Sequence, residues 1–156
     1  MKAKRTWVLV ADGARARIIR QLHPDREAEQ KLDDLVFEID HKQLREVMAD
    51  RPGRSFASLG TRRSAMEYHS DPVQAQEEQF AESLIDTLVQ HHSTGSLDAL
   101  AIIAEPRMLG VLRQRLPASL RDLIAGEVAK DLTKLPALEL RAAIGELGLP
   151  GLRADR

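Results

Sequence analysis

The chain contains no cysteine, and this absence excludes several kinds of site at once. A disulfide framework, a thiolate zinc site, an iron–sulfur cluster and a cysteine nucleophile all require the missing thiol. Aromatic residues make up only 3% of the 156 residues, and no apolar run reaches the roughly 20 residues that a membrane-spanning helix needs. We therefore expect an intracellular, cytoplasmic domain with an apolar core, no cofactor and no membrane partner.

One long stretch lacks cations and another lacks acids. Residues 51–63 contain four arginines and no acid, whereas residues 64–105 contain eight acids and neither lysine nor arginine. The net charge of −1 hides this separation. A folded domain with such a sequence would have surfaces of opposite sign that steer charged partners. The alternative is that both runs are ordinary solvated surface.

The first 40 residues have the pattern of a three-stranded meander. Residues 6–11 are apolar and β-branched, and residues 14–22 begin with strict alternation of small and charged side chains. Asp12 and Gly13 between them predict a hairpin with a type I′ turn, which needs positive φ at both central residues. Alternation over residues 35–39 predicts the third strand.

Strands and helices alternate in the rest of the chain. Periodicity is lost over residues 51–70, which predicts a long loop. A helix is then expected from Pro72 to Gly95, with an apolar stripe on one side and acids on the other. The remaining predicted elements are a strand at 97–104, a helix from Pro106, a weaker strand at 124–132 and a helix ending near Leu147.

The predicted element order is β-β-β-α-β-α-β-α. This order is typical of an α/β domain with a ribonuclease H-like mixed sheet, in which the fourth strand lies beside the first and parallel to it. We expect one domain over residues 1–147 and a flexible tail over residues 148–156.

Five segments carry a resemblance to a known family: WVLVADGARARII at 7–19, GRSFAS at 53–58, RRSAMEYHSDP at 62–72, LAIIAEPRMLGVLR at 100–113 and EVAKDLTKLP at 127–136. With them, the chain resembles the bacterial family of proteins required for attachment to host cells, which is similar to the central domain of archaeal and eukaryotic peptide-chain release factors. The resemblance implies a surface that faces RNA or the ribosome. Release factors hydrolyse peptidyl-tRNA with a Gly-Gly-Gln tip, but this chain has Gly53-Arg54-Ser55 in the corresponding loop. Peptidyl-tRNA hydrolysis is therefore not implied.

Arginines supply the candidate nucleic-acid-binding site. Guanidinium groups bind phosphates through charge-assisted and often bidentate hydrogen bonds. Arg15 and Arg17 share one face of the second strand by alternation and extend the basic surface. The candidates in the long loop are Arg51, Arg54, Arg62 and Arg63. The alternative is that the loop arginines pair with the acidic side of the following helix.

The ribonuclease H-like topology also suggests a metal-dependent nuclease, in which carboxylates clamp two metal ions. Asp12, Glu78 and Glu105 are the candidate carboxylates. Each also has a structural explanation: Asp12 as a turn residue, Glu105 as an acid at a helix start and Glu78 as a surface acid. The five histidines lack metal-ligand spacing, so no metal site is expected.

The sequence thus favours a non-catalytic protein that binds RNA or the ribosome through its arginine-rich loop and second strand. The first alternative is a protein-interaction or self-association module linked to host attachment. The second alternative is the metal nuclease.

Overall fold

The computed structural model describes residues 4–22, 32–39, 72–150 and 152, and these form a β-sheet with helices on both faces. The described strands are β1 (Thr6–Ala11), β2 (Arg15–Ile19), β3 (Leu35–Glu38), β4 (Ala99–Ala104) and β5 (Ile124–Ala129). The described helices are α1 (Pro72–Ser93), α2 (Pro106–Arg115), α3 (Ala118–Arg121) and α4 (Ala137–Glu146). The predicted strands and helices are therefore present, and the single turn α3 is an addition. The long loop predicted over residues 51–70 lies outside the described residues.

The five strands form one mixed sheet in the order β3-β2-β1-β4-β5. β1 pairs antiparallel with β2 and parallel with β4, and β4 pairs parallel with β5. The prediction that the fourth strand lies beside the first and parallel to it is confirmed. The reason is that α1 precedes β4 and packs on one face of the sheet. This crossover lets β4 run in the same direction as β1 and pair with it.

The β1–β2 hairpin is confirmed, but its predicted type I′ turn is wrong. Neither Asp12 nor Gly13 is among the described residues with positive φ. Asp12 Oδ1 instead accepts hydrogen bonds from the backbone N–H groups of Ala14 and Arg15, both at 2.8 Å. The carboxylate thus acts as the turn's acceptor, as in an Asx turn, and no left-handed backbone is needed.

The two faces of the sheet are covered by different helices. The first face packs against α1, α2 and α3, whose buried side chains include Leu84, Leu112 and Leu120. The second face packs against α4 through Leu140 and Ile144. Because β4 lies between β1 and β5 with helices on both faces, all six of its residues are buried, which fits its unbroken apolar sequence.

The core continues beyond residue 147, where the sequence suggested a flexible tail. Leu149 and Leu152 are 8% and 3% exposed and belong to the core of the second face. A Cβ atom on Gly126 would lie 2.8 Å from Leu149 Cδ2, so β5 and Leu149 are in close contact. The described part of the tail therefore belongs to the fold. Within the described ranges, no helix is both long and apolar enough to span a bilayer.

Candidate functional site

The carboxyl ends of β1, β4 and β5 lie together at one end of the sheet, because these three strands are parallel. We call this end the carboxyl-terminal edge and define it by residues 12–15, 105 and 130–136, which follow these strands and include Arg15, the first residue of β2. In open α/β sheets, ligands commonly bind outside the carboxyl ends of the strands. This edge therefore contains the candidate site.

A hydrogen-bond network joins two loops of the carboxyl-terminal edge. Thr133 Oγ1 lies 2.9 Å from Asp12 Oδ2 and 2.6 Å from Asp131 Oδ1. The Thr133 backbone N–H also donates to Asp131 Oδ1, at 3.0 Å. A hydroxyl has a single proton, so the two carboxylates share one donor. The network connects the β1–β2 turn to the loop between β5 and α4, although Asp12 and Thr133 are 121 positions apart.

Asp131 has a lowered pKa within this network. Burial alone would raise the pKa of Asp131, but hydrogen bonds from the hydroxyl and the backbone N–H of Thr133 outweigh it. The positive charges of Lys134 and Arg15 lower the pKa further. Lys134 and Arg15 are thus both close enough to Asp131 to favour its charged form.

Arg15 lies at the carboxyl-terminal edge with its guanidinium partly exposed. Its Nε is 3.8 Å from Asp12 Oδ2, and 44% of the side chain is accessible to solvent. The adjacent Ala14 carbonyl accepts a hydrogen bond of 2.8 Å from the N–H of Ile39, the last described residue before residue 72. Ile39 therefore lies beside the residue that precedes Arg15.

Arg17 is on the same face as Arg15, but its guanidinium binds an acid of the protein itself. Ala16 and Ile18 pack in the core of the first face, so Arg15 and Arg17 project from the second face, as alternation predicted. Arg17 Nη1 donates to Asp34 at 2.9 Å. A nucleic-acid contact by Arg17 stays a prediction, and its guanidinium would have to serve both partners.

Asp34 binds two arginines that belong to different elements. Arg141 of α4 donates to both carboxylate oxygens of Asp34, at 2.7 and 3.1 Å, and Arg17 donates to one of them. Burial raises the pKa of Asp34, but the hydrogen bonds from Arg141 and then Arg17 outweigh it and lower the pKa. This group connects β2, the start of β3 and α4, which indicates a structural role.

The three candidate nuclease carboxylates are engaged in separate contacts. Asp12 holds the hairpin turn as described above. Glu105 is the N-cap of α2, and its Oε1 accepts the N–H of Met108 at 2.7 Å. Glu78 Oε1 accepts from Arg115 Nη2 at 2.9 Å. In the part of the chain that the structure describes, no three acidic or histidine side chains are grouped to hold a metal ion.

The remaining predicted site residues lie outside the described residues. They are Arg51, Arg54, Arg62 and Arg63. Their role in binding nucleic acid stays a prediction.

Sequence reasoning missed three residues of the carboxyl-terminal edge. Lys130 and Lys134 are exposed and form no ion pair with any described residue, and Thr133 links their loop to Asp12. The available signal was a pair of lysines in the polar segment after the last predicted strand, in KDLTKLP at 130–136. No local pattern shows that this segment meets the hairpin.

The fold and the edge together define a single-domain α/β protein with a charged cluster beyond the parallel strands. Residues 7–144 match the family model described as "protein required for attachment to host cells", so the chain belongs to this family. The chain is also similar to an uncharacterized protein of Rickettsia prowazekii (strain Madrid E), with 33% identity over 81 residues. That alignment covers 51% of this chain and 54% of the relative, so the match spans about half of each protein.

Proposed function

We propose that this member of the host-attachment family is a non-catalytic RNA-binding protein that associates with the ribosome. The observation that carries the proposal is the partly exposed guanidinium of Arg15 at the carboxyl-terminal edge, beside Ile39, the last described residue before residues 40–71, whose sequence includes the run of four arginines. Arginine and RNA phosphates form strong charge-assisted hydrogen bonds.

The topology supports a relationship to ribonuclease H-like domains and to the release-factor central domain. The supporting features are the strand order and the parallel pairing of β1 with β4. In the proposal this relationship supplies an RNA-facing surface and no hydrolysis, because Gly53-Arg54-Ser55 replaces the Gly-Gly-Gln tip. The proposal also assigns no catalytic role to Asp12 or Glu105, since each accepts backbone N–H groups.

The direct test is co-sedimentation with purified bacterial ribosomes at low and high salt. The test variant replaces Arg15 and the four arginines of residues 51–63 with alanine. We expect wild-type protein to pellet at low salt and to be released at high salt, because phosphate contacts release counterions. The variant should remain in the supernatant at both salt concentrations.

A matched control removes charge from the opposite end of the sheet. Lys4 and Arg121 precede β1 and β5, are exposed, and form no ion pair with a described residue. The Lys4→Ala, Arg121→Ala variant should pellet like the wild type. If wild-type protein stays in the supernatant at low salt, the proposal is wrong and a protein partner or self-association becomes the better hypothesis.

A further inference from the structure

The loop between β5 and α4, which contains two lysines, contacts the turn that precedes Arg15. Thr133 Oγ1 and Arg15 Nε both approach the same oxygen, Asp12 Oδ2, at 2.9 and 3.8 Å. Lys134 follows Thr133 directly, and its charge acts on Asp131 together with that of Arg15. Lys130 is at the other end of the same short loop, where its N–H donates to the Ala104 carbonyl at 2.8 Å. Three cations from two distant parts of the sequence thus occur at one edge.

Asp12 is mostly buried at this edge, whereas Lys130, Asp131 and Lys134 are exposed. Asp12 is 15% exposed as a side chain, and its two oxygens accept from Ala14, Arg15 and Thr133. Asp131 accepts both the N–H and the hydroxyl of Thr133. Both bonds to Asp131 reach the same oxygen, Oδ1, and Lys130 and Lys134 form no ion pair with a described residue. The loop therefore exposes two lysine side chains and one carboxylate, a net positive charge that attracts polyanions.

We propose that the loop between β5 and α4 is a second phosphate-binding element, in which Lys130 and Lys134 contact the RNA backbone alongside Arg15. This inference rests on the proposed RNA-binding function and adds to it a contact region that comes from another part of the chain. Lysine binds phosphate as a point charge without a fixed geometry, so the element contributes affinity without reading sequence. In this arrangement the RNA backbone crosses both the hairpin turn and the loop that contacts it.

The experiment measures binding of a fluorescently labelled single-stranded oligouridylate by anisotropy at a series of salt concentrations. We expect the Lys130→Ala, Lys134→Ala variant to bind about tenfold more weakly at low salt. Its slope of log affinity against log salt should fall by about 1.4, since each phosphate contact on a single strand contributes about 0.7. Lys130→Arg, Lys134→Arg keeps the charge and should retain wild-type affinity, and Lys130→Glu, Lys134→Glu should bind more weakly than the alanine variant.

The control is the Lys4→Ala, Arg121→Ala variant, which removes the same charge at the other end of the sheet. The inference is overturned if this control and the Lys130→Ala, Lys134→Ala variant weaken binding equally, because only net charge would then matter. It is also overturned if the lysine variant binds like the wild type.

These outcomes separate the inference from the proposed function. If wild-type protein binds the RNA and replacement of Arg15 with the arginines of residues 51–63 abolishes binding, the proposed function stands whatever the lysines do. If wild-type protein does not bind RNA at any salt concentration, both the proposed function and this inference are wrong.

Discussion

The acids at the two ends of the parallel strands have different hydrogen-bond partners. At the end where β1, β4 and β5 begin, the amino-terminal edge, Arg5 and Asp98 neutralise each other directly. Asp98 Oδ2 accepts from the backbone N–H and the Nε of Arg5 at 2.9 and 3.1 Å, and Oδ1 accepts from Nη2 at 3.3 Å. At the carboxyl-terminal edge, Asp12 is instead held by two backbone N–H groups and the Thr133 hydroxyl.

Ion pairing determines which charges remain available to a partner. An arginine that forms an ion pair with an acid is largely neutralised, whereas an exposed cation without an ion pair stays available. Lys130 and Lys134 are such cations, and no described acid forms an ion pair with them. Lys4 and Arg121 at the amino-terminal edge are also exposed and form no ion pair with a described residue. We expect the polyanion at the carboxyl-terminal edge because Arg15 lies there and because ligands of such sheets bind beyond the carboxyl ends of the strands.

The largest loss of stability should come from removing Asp12, the hydrogen-bond acceptor at the carboxyl-terminal edge. Asp12→Ala leaves the N–H groups of Ala14 and Arg15 and the Thr133 hydroxyl without their acceptor, so we expect a loss of about 2–3 kcal/mol in the free energy of unfolding. Urea denaturation measures this value. Asp12→Asn keeps an acceptor oxygen and should lose less, and Asp98→Ala at the exposed amino-terminal pair should also lose less. Equal losses for Asp12→Ala and Asp98→Ala would contradict the comparison.

Much of the fold follows from local patterns. Asp12-Gly13 between two strand-like runs predicted the hairpin, and Pro72 and Gly95 bracketed the long helix, where Gly95 has a φ of 75°. The turn type was wrong because it depends on whether the Asp12 side chain or a backbone carbonyl accepts the hydrogen bonds, and both choices fit the same sequence. The single turn α3 was missed because four residues are too few to show helical periodicity.

The site was less predictable because its contacts join distant parts of the chain. Alternation correctly placed Arg15 and Arg17 on one face. It could not show that Arg17, and not Arg15, binds Asp34, which is 17 positions away from Arg17. Arg141, which also binds Asp34, is 107 positions from it. Such pairs are fixed by how α4 packs on the sheet, and no local spacing encodes that packing.

A smaller effect is expected when only the link between the two loops is removed. Thr133→Val deletes the hydroxyl but keeps the side-chain shape, so we expect a loss of about 1 kcal/mol in the free energy of unfolding. Thr133→Ser retains the hydroxyl and should remain closer to the wild type. Hydrogen exchange at the Arg15 amide should become faster in Thr133→Val, because Asp12 loses one of the contacts that fix it. Unchanged exchange would mean that the turn is held without Thr133.

Titration of two aspartates would sharpen the comparison further. The pKa of Asp98 is lowered chiefly by hydrogen bonds from Arg5, whereas burial raises the pKa of Asp131 and the Thr133 donors outweigh it. Added salt screens the Arg5 charge, so it should bring the pKa of Asp98 back toward the ordinary 3.8 more than that of Asp131. Carboxyl NMR titration at two salt concentrations measures both shifts. A larger response at Asp131 would contradict the assignment of neutral donors to this edge.

The lowered pKa values of Asp34 and Asp131 determine the direction in which the stability of the protein changes with pH. A carboxyl group whose pKa is lower in the folded state stabilises the protein above its ordinary pKa, and this contribution is lost as the pH falls through the folded value. For Asp34 and Asp131 the loss therefore begins near the ordinary 3.8 and continues below it. Asp34→Asn and Asp131→Asn should each make the acid limb of the stability curve less steep in urea denaturation.

The smallest effect on stability is expected at the two exposed lysines of the carboxyl-terminal edge. Lys130→Ala, Lys134→Ala removes two exposed side chains that form no ion pair with a described residue, so the free energy of unfolding should change by no more than about 0.5 kcal/mol. Lys4→Ala, Arg121→Ala at the amino-terminal edge should be similarly neutral. A loss of stability well above that value in the lysine variant alone would show that Lys130 and Lys134 stabilise the loop, and their charge would then not be available for a partner. If both variants are neutral, any difference between them in RNA binding reflects the position of the charge.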